Sequence, residues 1–193
     1  DNCHVPWGST HEKTWHLVKT LPHVSGLFVW TGFDYLGEPT PYWWPSRSSF
    51  FGIVDLAGFP KDVYYMYKSE WTDEPVLHIF PHWNWKEGEP VDIWAYYNNA
   101  DEVELYLNGK SLGVQQKTDS TYHVSWRVPF TPGTLRAVSR LGGKEVLVKE
   151  IHTAGEPARL VLTPDRSVIQ ADGSDLSFVT VDVCAVSYTH LRA

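Results

Sequence analysis

Residues 91–109 read VDIWAYYNNADEVELYLNG. From Val91 to Tyr96, and again from Val103 to Leu107, apolar and polar positions alternate. A period of two is the strand period, because successive side chains leave opposite faces of the backbone. The second run ends in Asn108-Gly109, two residues that tolerate positive φ and give the strongest short-range hairpin signal. This stretch is therefore read as two strands of an antiparallel β domain.

The same pattern extends outward. Toward the C-terminus come Tyr122–Val128, Leu135–Leu141, a Gly142-Gly143 turn and Val146–Ile151; toward the N-terminus comes Val76–Phe80. Six or seven short strands at this spacing predict an immunoglobulin-like β-sandwich of about 80 residues, placed at residues 73–155. Residues 149–157 read as a linker. Residues 156–185 restart the pattern with Arg159-Leu160-Val161-Leu162, an Asp172-Gly173 turn and Leu176–Val183. They are too few to close a sandwich and are read as a truncated second β domain. Val186 onward, VSYTHLRA, continues no pattern and resembles a translated sequencing adapter, so residues 186–193 are read as a non-native tail.

Before residue 72 the texture differs. Ser9-Thr10-His11-Glu12 fits a capping box, opening a helix over His11–Thr20 with Trp15, Val18 and Leu17 as inward candidates; Pro22 stops it. Val24–Trp30 is a short apolar run, the mark of a strand buried on both faces of a parallel sheet. Residues 31–59 carry Gly and Pro repeatedly and read as a long functional loop. Pro60 then suits a helix's first turn, and Lys61–Trp71 follows with Tyr64, Tyr67 and Trp71 on one face. Helix, strand, loop, helix is the end of an α/β array. One strand cannot make a sheet, so residues 1–72 call for strands not found in this sequence. The fold class expected is α/β plus all-β.

Composition narrows the function. The chain of 193 residues carries a net charge of −7, and no run of Lys or Arg exceeds two residues. A nucleic-acid surface needs clustered cations, so that class is excluded. No apolar stretch reaches the length of a membrane span. Ten Trp and ten Tyr imply either an aromatic core or aromatic ligand faces, of which sugars are one fit. Cys3 and Cys184 make no disulfide framework or metal motif.

The chemistry of the remaining motifs is thin. His11 and His16 lie about 140° apart around a helix, and HEKTW lacks the second His of the zincin motif, so both are read as surface histidines. No nucleophile elbow or phosphate loop is present. Asp34, Glu38 and Asp55 lie on the long loop, which in a (β/α)₈ barrel would face the active site. Glycoside hydrolysis needs two carboxyl groups, so Asp34 and Glu38 are a candidate pair. Against this, barrel enzymes draw catalytic groups from several strands, and two acids four apart on a Gly/Pro loop are more often turn formers or rim residues. Trp30, closing the apolar run, is either a core residue or an aromatic wall for a sugar ring.

Residues 5–15 (VPWGSTHEKTW), 24–71 (VSGLFVWTGFDYLGEPTPYWWPSRSSFFGIVDLAGFPKDVYYMYKSEW) and 76–85 (VLHIFPHWNW) together resemble glycoside hydrolase family 2, of the bacterial β-galactosidase type. The likeness is close over residues 5–85 and looser to about 183. It implies that His11–Thr20, Val24–Trp30 and Lys61–Trp71 are the seventh helix, eighth strand and eighth helix of a catalytic (β/α)₈ barrel. Residues 74–153 would be the first domain after it. The family's two catalytic glutamates would precede Asp1, so no residue here inherits a catalytic role. Trp30 matches the family's sugar-pocket tryptophan and Asp34 an acid near it; both are carried as substrate-binding residues. The family also has the option of a divalent or sodium ion near the site. Its ligands do not transfer onto Ser48–Gly52, so no metal ligand and no cofactor is assigned.

The implied activity is retaining hydrolysis of β-galactosides by a parent enzyme, with the fragment itself inactive. The implied compartment is periplasmic or secreted, and oligomeric state is left open. The competing reading is a non-catalytic carbohydrate-binding or structural β-sandwich module. In that case Trp83, Trp85, Trp94 and Tyr96 would be stacking platforms. Otherwise Trp94 and Tyr96 fill the sandwich core and Trp83 and Trp85 pack at the domain junction.

Overall fold

A computed structural model of the chain describes residues 7–186. Cys3 and the tail beyond Val186 lie outside those residues. Among the described residues the structure is mostly β, with two helices before the first strand.

Helix α1 spans His11–Thr20. Its N-cap is Thr10, whose hydroxyl accepts the Lys13 N–H at 3.2 Å. The Ser9–Glu12 box does not form, because Glu12 is drawn to the sandwich instead. The helix stops at Leu21, before Pro22. Trp15 and Val18 are half-buried, while Leu17 stays exposed. Helix α2 spans Asp62–Trp71 with Lys61 at the N-cap, so Pro60 precedes the cap and is not in the first turn. Its buried side chains are Met66, Tyr67 and Ser69. Tyr67 packs as expected, but Trp71 is half exposed and the unbranched Met66 takes the position against the sheet.

Val24–Trp30 is not a buried strand. It joins no ladder, and Phe28 is fully exposed. A parallel strand is made by its neighbours' hydrogen bonds, and among the described residues no strand lies beside this run. The following loop is folded by pairing with itself: Thr31 N–H donates to the Phe51 carbonyl at 3.1 Å, Ile53 returns the bond to Thr31 at 3.0 Å, and Asp34 N–H reaches Val54 at 2.9 Å.

From Leu77 the period-two reading holds. Strands β1 (Leu77–Phe80), β2 (Pro90–Tyr97), β3 (Glu102–Leu107), β4 (Lys110–Gln115), β5 (Val124–Pro129), β6 (Thr134–Leu141) and β7 (Lys144–His152) form two antiparallel sheets. Their orders are β1-β2-β5 and β4-β3-β6-β7. Asn108 and Gly109 have φ of 50° and 80°, and Gly142 and Gly143 of 56° and 78°. Both turns thus adopt the left-handed pair that matches the strand twist. The core between the sheets comes from alternate residues of each strand, including Ile93, Ala95, Val103, Leu105, Trp126 and Leu135.

Trp94 and Tyr96 do share a face, but not the core-facing one. They lie on the outer face of the β1-β2-β5 sheet, where Tyr96 joins Met66, Tyr67, Phe80 and Tyr122 in a second cluster and Trp94 packs against it. Strand β2 is covered on both sides, so alternation could not say which face meets which partner. Trp83 is also corrected. It is 1% exposed and belongs to the sandwich core, donating its indole N–H to Thr131. Trp85 is the partly exposed member of that pair, stacked on His82 at 4.9 Å.

After β7 the chain forms a ribbon of β8 (Pro157–Pro164) and β9 (Val179–Ala185). Leu160 pairs with Val183 and Leu162 with Val181, and all four side chains are exposed. Cys184 is buried on this ribbon.

Candidate functional site

The loop wall is built around Trp30. Its indole ring is 73% exposed and sits edge-on to Tyr35, with centroids 6.2 Å apart at 85°. The indole N–H donates to the Tyr35 hydroxyl at 3.3 Å, and that hydroxyl in turn donates to Glu38. The hydrogen bond to Glu38, foremost, holds the Tyr35 phenol above its ordinary pKa. In the same stretch of chain Phe28, Phe33, Leu36, Trp43 and Trp44 are exposed, the last with the Arg47 guanidinium over its ring at 4.5 Å.

Asp34 and Glu38 do not converge. One Asp34 carboxylate oxygen accepts the Gly52 N–H at 2.8 Å. The other lies 2.7 Å from Lys61 Nζ, and the side chain is buried. Lys61 also donates to the Phe50 carbonyl at 3.2 Å. Asp34 thus ties the loop to the start of α2 with both oxygens engaged. Glu38 is exposed at the rim, and Asp55 caps its own turn by accepting from Ala57 and Phe59, each at 2.8 Å. Neither Lys61 nor Tyr35 carried a sequence signal linking it to this site. Asp34 and Lys61 stand far apart along the chain, and a lone Tyr in an aromatic loop is unmarked.

A second polar group joins the helices to the sandwich. Glu12 accepts from His123 at 2.7 Å and from the Tyr96 hydroxyl at 3.2 Å, while His123 stacks flat on Trp94 at 3.8 Å. His11 meets the Tyr67 hydroxyl at 2.9 Å and His16 that of Tyr122 at 3.2 Å. Neither is a surface histidine: both line the seam between α1 and its neighbours. Burial lowers the His11 pKa, pushes Tyr67 up to about 12 and raises Tyr96 further, with Glu12 adding to the rise. Among the described residues no group of three or more His, Cys, Asp or Glu is placed to hold a metal ion. Nor is any helix there long and apolar enough to cross a membrane.

Glu70 anchors the same seam. Its carboxylate accepts from Trp15 and Lys19, each at 2.9 Å, with Lys117 at 3.7 Å. Burial opposes ionisation of Glu70, but the hydrogen bonds from Trp15 and Lys19 and the nearby Lys117 charge outweigh it and hold the carboxyl below its ordinary 4.5. A depressed folded-state pKa contributes stability that is present above the unfolded value and lost as pH falls through the folded one. The expected result is that the thermal midpoint declines below about pH 4.5, and that Glu70→Gln flattens this acid limb while lowering the midpoint at neutral pH. A limb unchanged by the substitution would exclude Glu70 as its source.

A family profile described as "Domain of unknown function (DUF4982)" matches residues 88–147, most of the sandwich. "Beta-galactosidase BoGH2A" of Bacteroides ovatus is 64% identical over 183 residues, covering 95% of this chain and 22% of that protein. The crystal structure of a beta-glycosidase from Bacteroides vulgatus superposes with a TM-score of 0.86 at 34% identity, covering 94% of this chain and 23% of the other. A glycosyl hydrolase family 2 member from Bacteroides cellulosilyticus gives 0.77 at 34% identity, covering 93% and 26%. The chain therefore spans about a quarter of the length of the proteins it matches. The Bacteroides ovatus alignment runs over nearly the whole chain, which resembles glycoside hydrolase family 2 in sequence and in fold.

Proposed function

We propose that this chain is part of a retaining β-galactosidase-type enzyme and supplies one wall of its sugar pocket. Residues 1–72 are the end of the catalytic (β/α)₈ barrel, residues 73–155 an immunoglobulin-like sandwich, residues 156–185 a truncated second β domain and residues 186–193 a non-native tail. The strand orders β1-β2-β5 and β4-β3-β6-β7 support the immunoglobulin-like assignment. Both catalytic glutamates lie upstream. One forms the glycosyl-enzyme, and the other protonates the leaving oxygen and then activates water. Trp30 is the platform for a sugar ring, with apolar ring area facing C–H groups. Asp34 supports that platform through Gly52 and Lys61.

The observation that carries this reading is the set of exposed aromatic side chains between Phe28 and Phe59, with Trp30 among the most exposed. An apolar face of this kind marks a site of ligand or protein contact. The carbohydrate-binding-module reading loses three of its four platforms, since Trp83 and Tyr96 are buried and Trp94 lies under His123, leaving the partly exposed Trp85. The purified 193-residue chain is expected to show no saturable turnover of a chromogenic β-galactoside. Saturable turnover by this chain alone would place catalytic carboxylates within it and overturn the proposal.

A further inference from the structure

We infer that Tyr35 and Glu38 are positioning residues for Trp30: the Tyr35 hydroxyl receives the indole N–H and passes the constraint to the Glu38 carboxylate, fixing the plane of the sugar platform. The inference rests on the assignment of Trp30 to the pocket.

The geometry has three parts. First, Trp30 lacks the packing that usually fixes an indole. With the ring largely exposed, its χ angles are free unless a directional contact holds them. The Tyr35 hydroxyl provides that contact at 3.3 Å, with the two rings edge to face. Second, the hydroxyl's own direction is set. It cannot donate to an indole N–H, which is itself only a donor, so its proton goes to Glu38 and a lone pair faces Trp30. The hydrogen bond to Glu38 raises the phenol pKa, so the donor keeps its proton through the neutral range.

Third, the relay has a rigid base. Tyr35 N–H donates to the Ser49 hydroxyl at 3.0 Å, and Ser49 N–H returns to the Tyr35 carbonyl at 2.8 Å. Ser49 is fully buried. The backbone under Tyr35 is clamped from both directions, and only the side chain reaches out to the exposed indole. A charge-assisted acceptor at the far end strengthens the whole chain of bonds. Glu38 thus leaves the catalytic pair considered from the sequence and takes a second role, at one remove from the substrate.

The test is a double-mutant cycle in the full-length glycosidase that carries this stretch, read as KM and kcat for an aryl β-galactoside. Tyr35→Phe keeps the ring and removes the hydroxyl. It is expected to raise KM about fivefold, the loss of roughly one hydrogen bond, with kcat within about twofold. In a Trp30→Phe background, which has no indole N–H to hold, the same substitution is expected to change KM by less than about twofold, because coupled partners are not additive. Glu38→Gln retains an acceptor and should lie closer to the parent than Glu38→Ala. If Tyr35→Phe costs the same in both backgrounds, the relay is overturned while the pocket reading stands. If Trp30→Phe leaves KM unchanged in an active enzyme, Trp30 is not the platform, and both fail.

Discussion

Trp83→Ala is expected to lower the thermal midpoint of the sandwich by roughly 15–50 °C. Trp83 is 1% exposed, meets Phe130 edge-on at 4.9 Å and donates its indole N–H to Thr131 at 3.0 Å. Removing a buried Trp side chain costs about 3–5 kcal/mol through lost transfer energy and the cavity left behind, and the orphaned Thr131 carbonyl adds about 1 kcal/mol or more. In a domain of this size each kcal/mol moves the midpoint by about 4–8 °C. Trp83→Phe keeps most of the apolar volume and should cost a fraction of that. Trp85→Ala, at the partly exposed neighbour, should cost under about 1 kcal/mol. The measurement is thermal unfolding followed by near-UV circular dichroism. A shift of only a few degrees for Trp83→Ala would remove Trp83 from the core and restore it to the domain junction.

The second large effect is expected at Gly52. A Cβ added there would lie 2.2 Å from the Asp34 nitrogen, 2.5 Å from the Phe33 carbonyl carbon and 2.5 Å from the Val54 oxygen. All three are backbone atoms and cannot swing aside, so Gly52→Ala must separate the two loop segments. It breaks the Gly52-to-Asp34 and Asp34-to-Val54 bonds together. Overpacking of this kind costs about 1–3 kcal/mol or more, confined to the loop. Amide exchange at Asp34 and Val54 should accelerate at least tenfold, about 1.4 kcal/mol, while the sandwich midpoint stays fixed. In the full-length enzyme the displaced wall should lower kcat/KM by about 100-fold, the order of effect of a 1 Å misplacement. Gly32→Ala is the control, because nothing lies within 4 Å of its added Cβ. Equal tolerance at both positions would show that the loop is not held as described.

These contrasts bear on what a sequence discloses. The sandwich was legible because period-two alternation and the Asn108-Gly109 and Gly142-Gly143 turns act locally. Strand β4 was harder: Lys110–Gln115 has only two apolar residues, Leu112 and Val114, and it pairs through a register shift against Glu104 and Tyr106. Trp94 and Tyr96 were placed together but against the wrong partner, since a strand covered on both faces has no polar side to orient it. Val24–Trp30 shows the opposite limit. Its composition marks a buried strand, yet burial depends on chain segments that its own residues cannot specify. At the candidate site Trp30 and Asp34 drew attention through their places at the end of the apolar run and on the loop after it, and again through the family likeness. Tyr35, Lys61 and Gly52 did not, because their roles arise from hydrogen bonds and clearances across the folded loop.

The junction between α2 and β1 has a thermodynamic consequence. Asn98 accepts the Val76 N–H at 2.7 Å and donates to the Thr72 and Glu74 carbonyls, while Asn99 donates to Asp73. Four of the five residues from Thr72 to Val76 are thereby ordered by the residues that follow β2, at no conformational cost to any later step. Helix α2 is then delivered to the outer face of the β1-β2-β5 sheet as an intramolecular reactant. Its effective concentration is set by a short, pinned tether instead of a freely sampling one. Two asparagines that lie outside both the helix and the aromatic loop therefore govern how readily the two halves of the chain find each other.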